Sequence, residues 1–213
     1  MNSSSQLNSP YKEQIIQAEM RKTFVDTTPN KISIPNILSK KIYEELEQSL
    51  QSQQPEKMKI PDRYSFSSLQ ATKETIQLFQ SDEVLDLIEH ITGKRIKNIS
   101  LTIKKYTHRD YTLLHEDKNP QEKTEFFLVI APKSWQNAWG GNKIYRDTNG
   151  NAVIFTPAPN TLNIIQKSSH DNSFIQYINH LATNQSIIYI EGTLTINKLE
   201  TPHDELTSRT FSS

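Results

Sequence analysis

The chain has 213 residues and balances 24 basic against 24 acidic side chains, which suits one domain with an arm and predicts no general attraction to nucleic acid or an anionic membrane. It has no cysteine, which excludes disulfides and thiolate metal sites and leaves imidazole and carboxylate groups as metal ligands. The N-terminus lacks the apolar core of a signal peptide and no apolar run approaches membrane-spanning length, which predicts a cytoplasmic protein without a membrane partner.

The N-terminal part begins with a polar segment. The polar composition of residues 1–12 predicts a disordered arm. A short helix is predicted at about residues 14–21 and a short strand at residues 31–35. Residues 51–63 are polar and contain proline, which predicts a connection between elements.

Two amphipathic helices are predicted around the polar connection. The first follows Ser39, a capping residue, and carries apolar residues every three to four positions. The second spans residues 81–92, with Ser81 as its cap and Gly93 as its end.

After Gly93 the apolar pattern alternates, which is typical of strands. Helices followed by many short strands predict an α+β protein with a barrel or sandwich in its C-terminal part. We expect one domain over residues 13–196 and a loosely ordered tail over residues 197–213. The predicted strands after the first one lie at residues 126–131, 143–146, 152–156, 162–166, 174–178 and 187–196.

His115 and Asp117 are the most informative polar pair. On extended backbone, residues two apart point to the same side, so both side chains can reach one ion. Two histidines and one carboxylate form the metal-binding face of non-haem Fe(II) oxygenases. The spacing alone occurs often by chance, so its context matters.

That context consists of four pieces in a fixed order: the Tyr111-x-x-x-His115-x-Asp117 pattern, the apolar run at 126–130, Trp139-Gly-Gly141, and Pro157-x-Pro159-Asn160-x-Leu162. In these pieces the chain resembles the prolyl-hydroxylase-like branch of the Fe(II)/2-oxoglutarate dioxygenases over residues 29–194. It is most similar to the group that hydroxylates a prolyl residue of a small-subunit ribosomal protein. The resemblance implies a double-stranded β-helix (jelly-roll, cupin-like) core with the N-terminal helices packed on the sheet.

The resemblance also implies a metal site. His115 and Asp117 would be two of its ligands, and His170 is the expected third. An alignment anchored on the last strand instead places Ile175, which cannot bind a metal, at the third position. His180 is a further alternative, interpreted as a loop residue.

Cosubstrate binding is the point at which the sequence departs from the family. Tyr106 would donate a hydrogen bond to the end carboxylate of 2-oxoglutarate, or it is a core tyrosine. The family places an arginine or lysine on the last strand to pair with that carboxylate, because an unpaired buried charge costs several kcal/mol. Here Gln185 or Ser186 would replace it with a neutral donor, or Lys143 or Lys104 would reach the site from another strand.

We therefore expect an Fe(II)- and 2-oxoglutarate-dependent dioxygenase that hydroxylates a protein prolyl residue or a related small molecule. Ascorbate is a candidate additional cofactor, and no catalytic residue is expected beyond the metal ligands. The alternative is a degenerate dioxygenase fold that serves as a binding or regulatory module. A third option is a metal-dependent oxygenase or isomerase that uses no 2-oxoglutarate.

Overall fold

The computed structural model describes residues 5–114, 123–168 and 172–196. No helix within these ranges is long and apolar enough to span a membrane. Over the same ranges the α-helices are α1 (Gln14–Val25), α2 (Lys40–Gln51), α3 (Lys73–Phe79) and α4 (Asp82–Thr92).

The termini of α4 follow directly from its sequence. The Ser81 side chain accepts a hydrogen bond from the backbone N–H of Val84, which satisfies one of the free donors at the start of a helix. Gly93 ends the helix with a φ of 69°, a left-handed conformation that glycine adopts without steric cost. Both features agree with the prediction from the sequence.

The strands form two antiparallel sheets. The strands are β1 (Lys31–Ile34), β2 (Glu56–Ile60), β3 (Tyr64–Leu69), β4 (Ile96–Thr107), β5 (Tyr111–Thr112), β6 (Lys123–Ile130), β7 (Lys143–Arg146), β8 (Ala152–Phe155), β9 (Thr161–Lys167), β10 (Asn172–Ile175) and β11 (Ser186–Ile196). The large sheet has eight strands in the order β1-β9-β6-β11-β4-β3-β2, with β5 paired to β3, and the small sheet has the order β10-β7-β8.

The central strand β11 separates two apolar cores. Ile188 and Ile190 join a core that the large sheet shares with the helices, whereas Ile187 and Tyr189 join a second core toward the small sheet. This split follows from the period of two along a strand. The arrangement is the expected α+β jelly-roll with N-terminal helices on one face of the large sheet.

Two segments differ from the prediction. Residues 5–12 were expected to be disordered, but Leu7 is buried and bridges to Leu38. Hydrogen bonds from Ser5 and Gln6 to Glu83 also attach this polar segment to the domain. The expected connection at residues 51–63 contains β2, an edge strand whose side chains are mostly exposed and therefore show no apolar alternation.

The predicted tail at residues 197–213 lies outside the described residues, and the expected domain limits stay predictions.

Candidate functional site

The three predicted metal ligands, His115, Asp117 and His170, lie outside the residues that the structure describes. Their roles stay predictions. Within the described ranges there is no cluster of three or more His, Asp or Glu side chains that could hold a metal ion. Other predicted site residues lie at a cavity that the described strands enclose.

A cavity of about 160 Å³ lies between the two sheets. Strand alternation turns Lys104 and Tyr106 of β4 toward it, on the face opposite Lys105, which lines a different cavity. The residues that line the inner cavity are Thr102, Lys104, Tyr106, Thr112, Glu125, Phe126, Lys143, Tyr145, Lys167, Ser173, Phe174, Ile175, Glu191, Gly192 and Thr193.

An ion cluster in this cavity joins the two sheets. Glu191 of β11 accepts hydrogen bonds from Lys104, at 2.7 Å between Nζ and Oε2, and from Lys143 of β7, through Oε1. The side chain of Lys143 is 8% exposed and that of Glu191 is 16% exposed, whereas that of Lys104 is 29% exposed. The cluster, which we call the Lys104–Glu191–Lys143 cluster, is therefore largely removed from water.

Opposing effects set the charge of Glu191. Burial raises its pKa, but the nearby Lys143 and Lys104 ammonium groups more than offset this and hold the pKa well below its usual range. Attraction to Glu191 in turn raises the pKa of Lys104, against the effect of burial. Glu191 and Lys104 are consequently charged at neutral pH.

Lys143 is held from several sides. Its Nζ lies 5.2 Å from the ring centroid of Phe127 and 5.6 Å from that of Tyr145, distances at which a cation is attracted to an aromatic face. The Gly140–Gly141 turn before β7, with φ values of 86° and 81°, leads the chain into this position. The backbone of the turn thus sets where the Lys143 cation enters the cavity.

A second ion pair lines the same cavity. Lys167 of β9 lies 2.9 Å from Glu125 of β6, measured from Nζ to Oε1. The hydroxyl of Tyr145 donates to the other carboxylate oxygen of Glu125 at 3.1 Å. Glu125 therefore has partners for both of its oxygens.

Two buried tyrosines differ in their hydrogen bonding. The hydroxyl of Tyr189 donates to the carbonyl oxygen of Gly141 at 2.7 Å. The hydroxyl of Tyr106 has no hydrogen-bond partner in the described part of the chain, although the side chain is fully buried. Burial, followed by the negative charge of Glu191, raises the pKa of Tyr106, so its hydroxyl keeps its proton and is a free donor.

A buried carboxylate fixes the turn between β4 and β5. Asp110 accepts hydrogen bonds from the Thr107 backbone at 3.0 Å, from Ser65 at 2.6 Å and from Lys57. In β5, Thr112 accepts from the backbone N–H of Ile175 at 2.7 Å. These bonds attach the segment that precedes the predicted His115 to both sheets.

The structure brings together some of the predicted site residues. Tyr106, Lys143 and the alternative cation Lys104 line one cavity. Gln185 does not reach it, because it lies just before β11 and lines a separate surface cavity with Lys105. A role of Gln185 at the inner cavity therefore has no support in the geometry.

The two alternatives to His170 also have defined positions. Ile175 of β10 is buried and lines the inner cavity. His180 is exposed at the start of a short 3-10 helix, His180–Ala182. In the alignment that places Ile175 at the third ligand position, that position therefore faces the cavity and carries a side chain that cannot bind a metal.

Glu191 is the site residue that the sequence analysis missed. It lies two residues after Tyr189 on one strand, so the period-two pattern of residues 187–196 was the signal that could have placed both on one face.

The described residues do not fit 2-oxoglutarate in the way that the resemblance implies. Its distal carboxylate requires a cation on the last strand, where the structure has the ionised Glu191 facing the cavity. The two lysines that could substitute, Lys104 and Lys143, are both bound to Glu191. A second carboxylate beside Glu191 would be repelled unless the cluster rearranged.

Comparisons with known proteins are consistent with this fold. Residues 62–201 match the model of a family described as "oxoglutarate and iron-dependent oxygenase degradation C-term". No curated protein matches the chain by sequence.

Solved structures share the fold at low sequence identity. A prolyl-4-hydroxylase from Pseudomonas putida has a TM-score of 0.64 and 10% identity over 85% of this chain and 100% of its own. A 2OG-Fe(II) oxygenase family oxidoreductase from Burkholderia pseudomallei has a TM-score of 0.62 and 10% identity over 82% and 90%. A prolyl hydroxylase from Trichoplax adhaerens, in complex with a hypoxia inducible factor oxygen degradation domain peptide fragment, has a TM-score of 0.64 and 12% identity over 87% and 96%.

Proposed function

Because this chain belongs to the family described as oxoglutarate and iron-dependent oxygenase degradation C-term, we propose that it is a degenerate member of the oxygenase fold that acts as a binding or regulatory module. The jelly-roll is retained, and a network of charged and polar side chains lines its interior. A protein or peptide is the proposed partner, since the Trichoplax adhaerens relative is in complex with a peptide.

The observation that carries this proposal is the position of Glu191. It faces the cavity from the last strand as a buried carboxylate with two lysine partners. Buried ionic groups are tolerated when each is paired and hydrogen-bonded, and removing one partner is costly. The cluster is therefore a stable arrangement in itself, and a cosubstrate carboxylate would have to displace Glu191 from its partners.

Ile175 gives independent support. The strand that would carry the third metal ligand, in one of the two alignments, presents an isoleucine to the cavity. An aliphatic side chain has no lone pair to offer a metal. In that alignment the fold would lack one metal ligand, and the last strand presents a carboxylate to the cavity. Both features are those expected of a fold that has given up hydroxylation.

Turnover under air tests the proposal. The full-length chain is incubated with Fe(II), 2-oxoglutarate and ascorbate, with and without a proline-containing peptide, and succinate is measured. We expect no succinate above the protein-free control. Succinate that is formed by the wild type and by Lys97→Met, in which an exposed lysine of β4 is lost, but not by Lys143→Met, would overturn the proposal.

The second candidate is an active Fe(II)- and 2-oxoglutarate-dependent hydroxylase of a prolyl residue. The free hydroxyl donor of Tyr106 favours it, because this is the residue expected to bind the cosubstrate carboxylate and it has no other partner among the described residues. In this candidate, Lys143 would supply the cation that the last strand lacks. The succinate measurement above decides between the two.

A further inference from the structure

Three loops meet at one end of the small sheet, and backbone hydrogen bonds fix their positions. The N–H of Arg109, in the turn between β4 and β5, donates to the Ile178 carbonyl oxygen at 2.9 Å. The N–H of Ile178 donates in return to the Asp110 carbonyl oxygen at 3.0 Å. The N–H of Asn179 donates to the carbonyl oxygen of Trp139, in the loop before β7, at 3.0 Å. The three loops are therefore held against one another.

These loops expose large apolar side chains. Leu181 is 54% exposed and Tyr177 is 48% exposed. The ring centroid of Tyr177 lies 6.3 Å from that of Tyr111, which is half-buried, as is Trp139. We call these side chains, together with that of Arg109, the Arg109–Leu181 surface. Apolar side chains that are exposed together commonly mark a site of interaction with another molecule.

Arg109 is the charged member of this surface. Its side chain is exposed and makes no hydrogen bond or ion pair with any residue that the structure describes. The carboxylate of the adjacent Asp110 is buried, where it accepts hydrogen bonds from Ser65 and Lys57. The Arg109 guanidinium is therefore open to an anionic group of another molecule.

The backbone of Arg109 gives a second, independent observation. Its φ is 73°, a left-handed conformation that glycine adopts without cost and that is unfavourable for a residue with a long side chain. The turn is fixed by backbone hydrogen bonds and by the Asp110 carboxylate, which do not involve the Arg109 side chain. Backbone strain of this kind is found at functional positions, so the arginine is explained by what its side chain binds.

We propose that the Arg109–Leu181 surface binds a peptide segment in which an acidic residue is flanked by large apolar residues. The peptide carboxylate accepts two hydrogen bonds from the guanidinium of Arg109, whose planar fork matches a carboxylate. The apolar residues of the peptide pack on Tyr177 and Leu181. The peptide partner of the proposed function thereby gains a place and a chemistry, and in this respect the assignment rests on that function.

The surface is separate from the predicted metal site. Strand β10 runs from Asn172 to Ile175, and Tyr177 follows its end, whereas the predicted ligand His170 precedes its beginning. The Arg109–Leu181 surface therefore lies toward the opposite end of β10 from residue 170.

A single-stranded nucleic acid is the competing occupant, because bases stack on exposed aromatic rings. Two features favour the peptide. The exposed Leu181 is aliphatic and offers no ring face to a base. Arg109 is the only arginine or lysine of the Arg109–Leu181 surface, whereas nucleic-acid binding gains its affinity from several basic groups that contact phosphates.

A library of random peptides displayed on phage, selected on the immobilised full-length chain, tests the proposal. We expect the selected peptides to share an acidic residue flanked by leucine, isoleucine or aromatic residues. The most enriched peptide is synthesised in two versions, one with the acidic residue and one with the corresponding amide, and both affinities are measured by fluorescence polarisation. We expect the amide version to bind about tenfold more weakly, because the hydrogen bonds to a charged group are lost.

Variants of the surface separate the charged contact from the apolar one. Arg109→Gly should weaken binding of the acidic version about tenfold and leave that of the amide version unchanged, as expected when one pairwise contact is removed. Since glycine relieves the left-handed conformation, this variant should unfold at a urea concentration no lower than the wild type. Leu181→Ser should weaken binding of both versions. Lys97→Met, which removes an exposed cation elsewhere on β4, should bind both as the wild type does.

Several outcomes would overturn the inference: no enriched peptide, equal affinity for the two peptide versions, or binding of the acidic version that Arg109→Gly leaves unchanged. Binding of labelled oligothymidylate that exceeds peptide binding and is lost in Arg109→Gly would assign the surface to nucleic acid instead. A dimer in light scattering that Leu181→Ser dissociates would assign it to a second copy of the chain. Succinate production from 2-oxoglutarate would overturn the proposed function and leave the assignment of this surface unaffected.

Discussion

Glu191 combines burial with two positively charged neighbours, and its ionisation is therefore tied to the folded state. Burial raises its pKa, and Lys143 and Lys104 lower it by more, so the pKa in the folded protein lies below its ordinary value of about 4.3. A depressed pKa contributes stability above the unfolded-state value. The contribution decreases as the pH falls from there toward the folded-state pKa.

Replacement of Glu191 by glutamine should reveal this linkage. We expect Glu191→Gln to lose about 3 kcal/mol of the free energy of unfolding at about pH 7, because two buried lysines lose their shared partner. The difference from the wild type should shrink below about pH 4.5, where the unfolded wild type takes up a proton that the folded protein does not. Urea unfolding across this pH range measures both quantities.

The control for this experiment is Glu56→Gln, which removes an exposed carboxylate of the edge strand β2. It should change the free energy of unfolding at about pH 7 by no more than about 0.5 kcal/mol. A Glu191→Gln difference that stays constant from about pH 7 to about pH 3 would contradict the linkage to the two lysines.

Tyr106 and Tyr189 should respond in opposite directions to loss of the hydroxyl. In a carboxylate-free buffer, Tyr106→Phe should raise the free energy of unfolding by about 1 kcal/mol, because it removes a buried donor that has no partner among the described residues. Tyr189→Phe should lower it by about 1–2 kcal/mol, because the Gly141 carbonyl loses its donor. Thermal or urea unfolding of the pair tests this, and equal losses in both variants would mean that the Tyr106 hydroxyl is already bonded.

At the scale of elements, the turn before β7 positions Lys143. A Cβ on Gly140 would lie 2.0 Å from the Tyr177 carbonyl oxygen, a backbone atom that cannot move freely. Gly150 has nearly the same φ, 85° against 86°, but the atom nearest to an added Cβ is the end of the Arg146 side chain at 3.4 Å. The two glycines therefore share the conformational requirement and differ in the space around them.

Alanine at these two positions separates the two effects. We expect Gly150→Ala to cost about 1–2 kcal/mol, from the positive φ alone. Gly140→Ala should cost about 3 kcal/mol or more, because steric overlap with the Tyr177 backbone is added. Urea unfolding of both variants checks this, and similar losses would show that the turn before β7 can relax.

Elements with a complete local signal could be predicted from the sequence. The α4 helix has a capping serine, an apolar stripe and a terminal glycine, and the structure has all three. The edge strand β2 has four exposed residues out of five, so no apolar alternation marks it. The strand forms because its backbone pairs with that of β3. This pairing depends on residues outside the β2 segment.

At the scale of the whole molecule, the site depends on which sheets face each other. Lys143 and Glu191 are 48 residues apart and meet only because the small sheet packs over the large one. The sequence could indicate that Tyr106 and Lys104 share a face of β4, and it indicated Lys143 as a candidate cation. It could not indicate that one carboxylate would bind both lysines, because that requires the packing of two sheets.

The cluster also links the two sheets across the molecule. It joins β4 and β11 of the large sheet to β7 of the small sheet through ionic hydrogen bonds. Its three charged groups line the cavity between the sheets.

The most direct test is anaerobic addition of Fe(II) and 2-oxoglutarate to the purified full-length chain, with the visible absorption spectrum recorded. An iron–2-oxoglutarate chelate in the protein would give a charge-transfer band. We expect the spectrum to equal that of Fe(II) and 2-oxoglutarate without protein. A band that saturates with 2-oxoglutarate, persists in Lys97→Met and disappears in Lys143→Met would contradict the account, because it would mean that Lys143 leaves Glu191 to bind the cosubstrate.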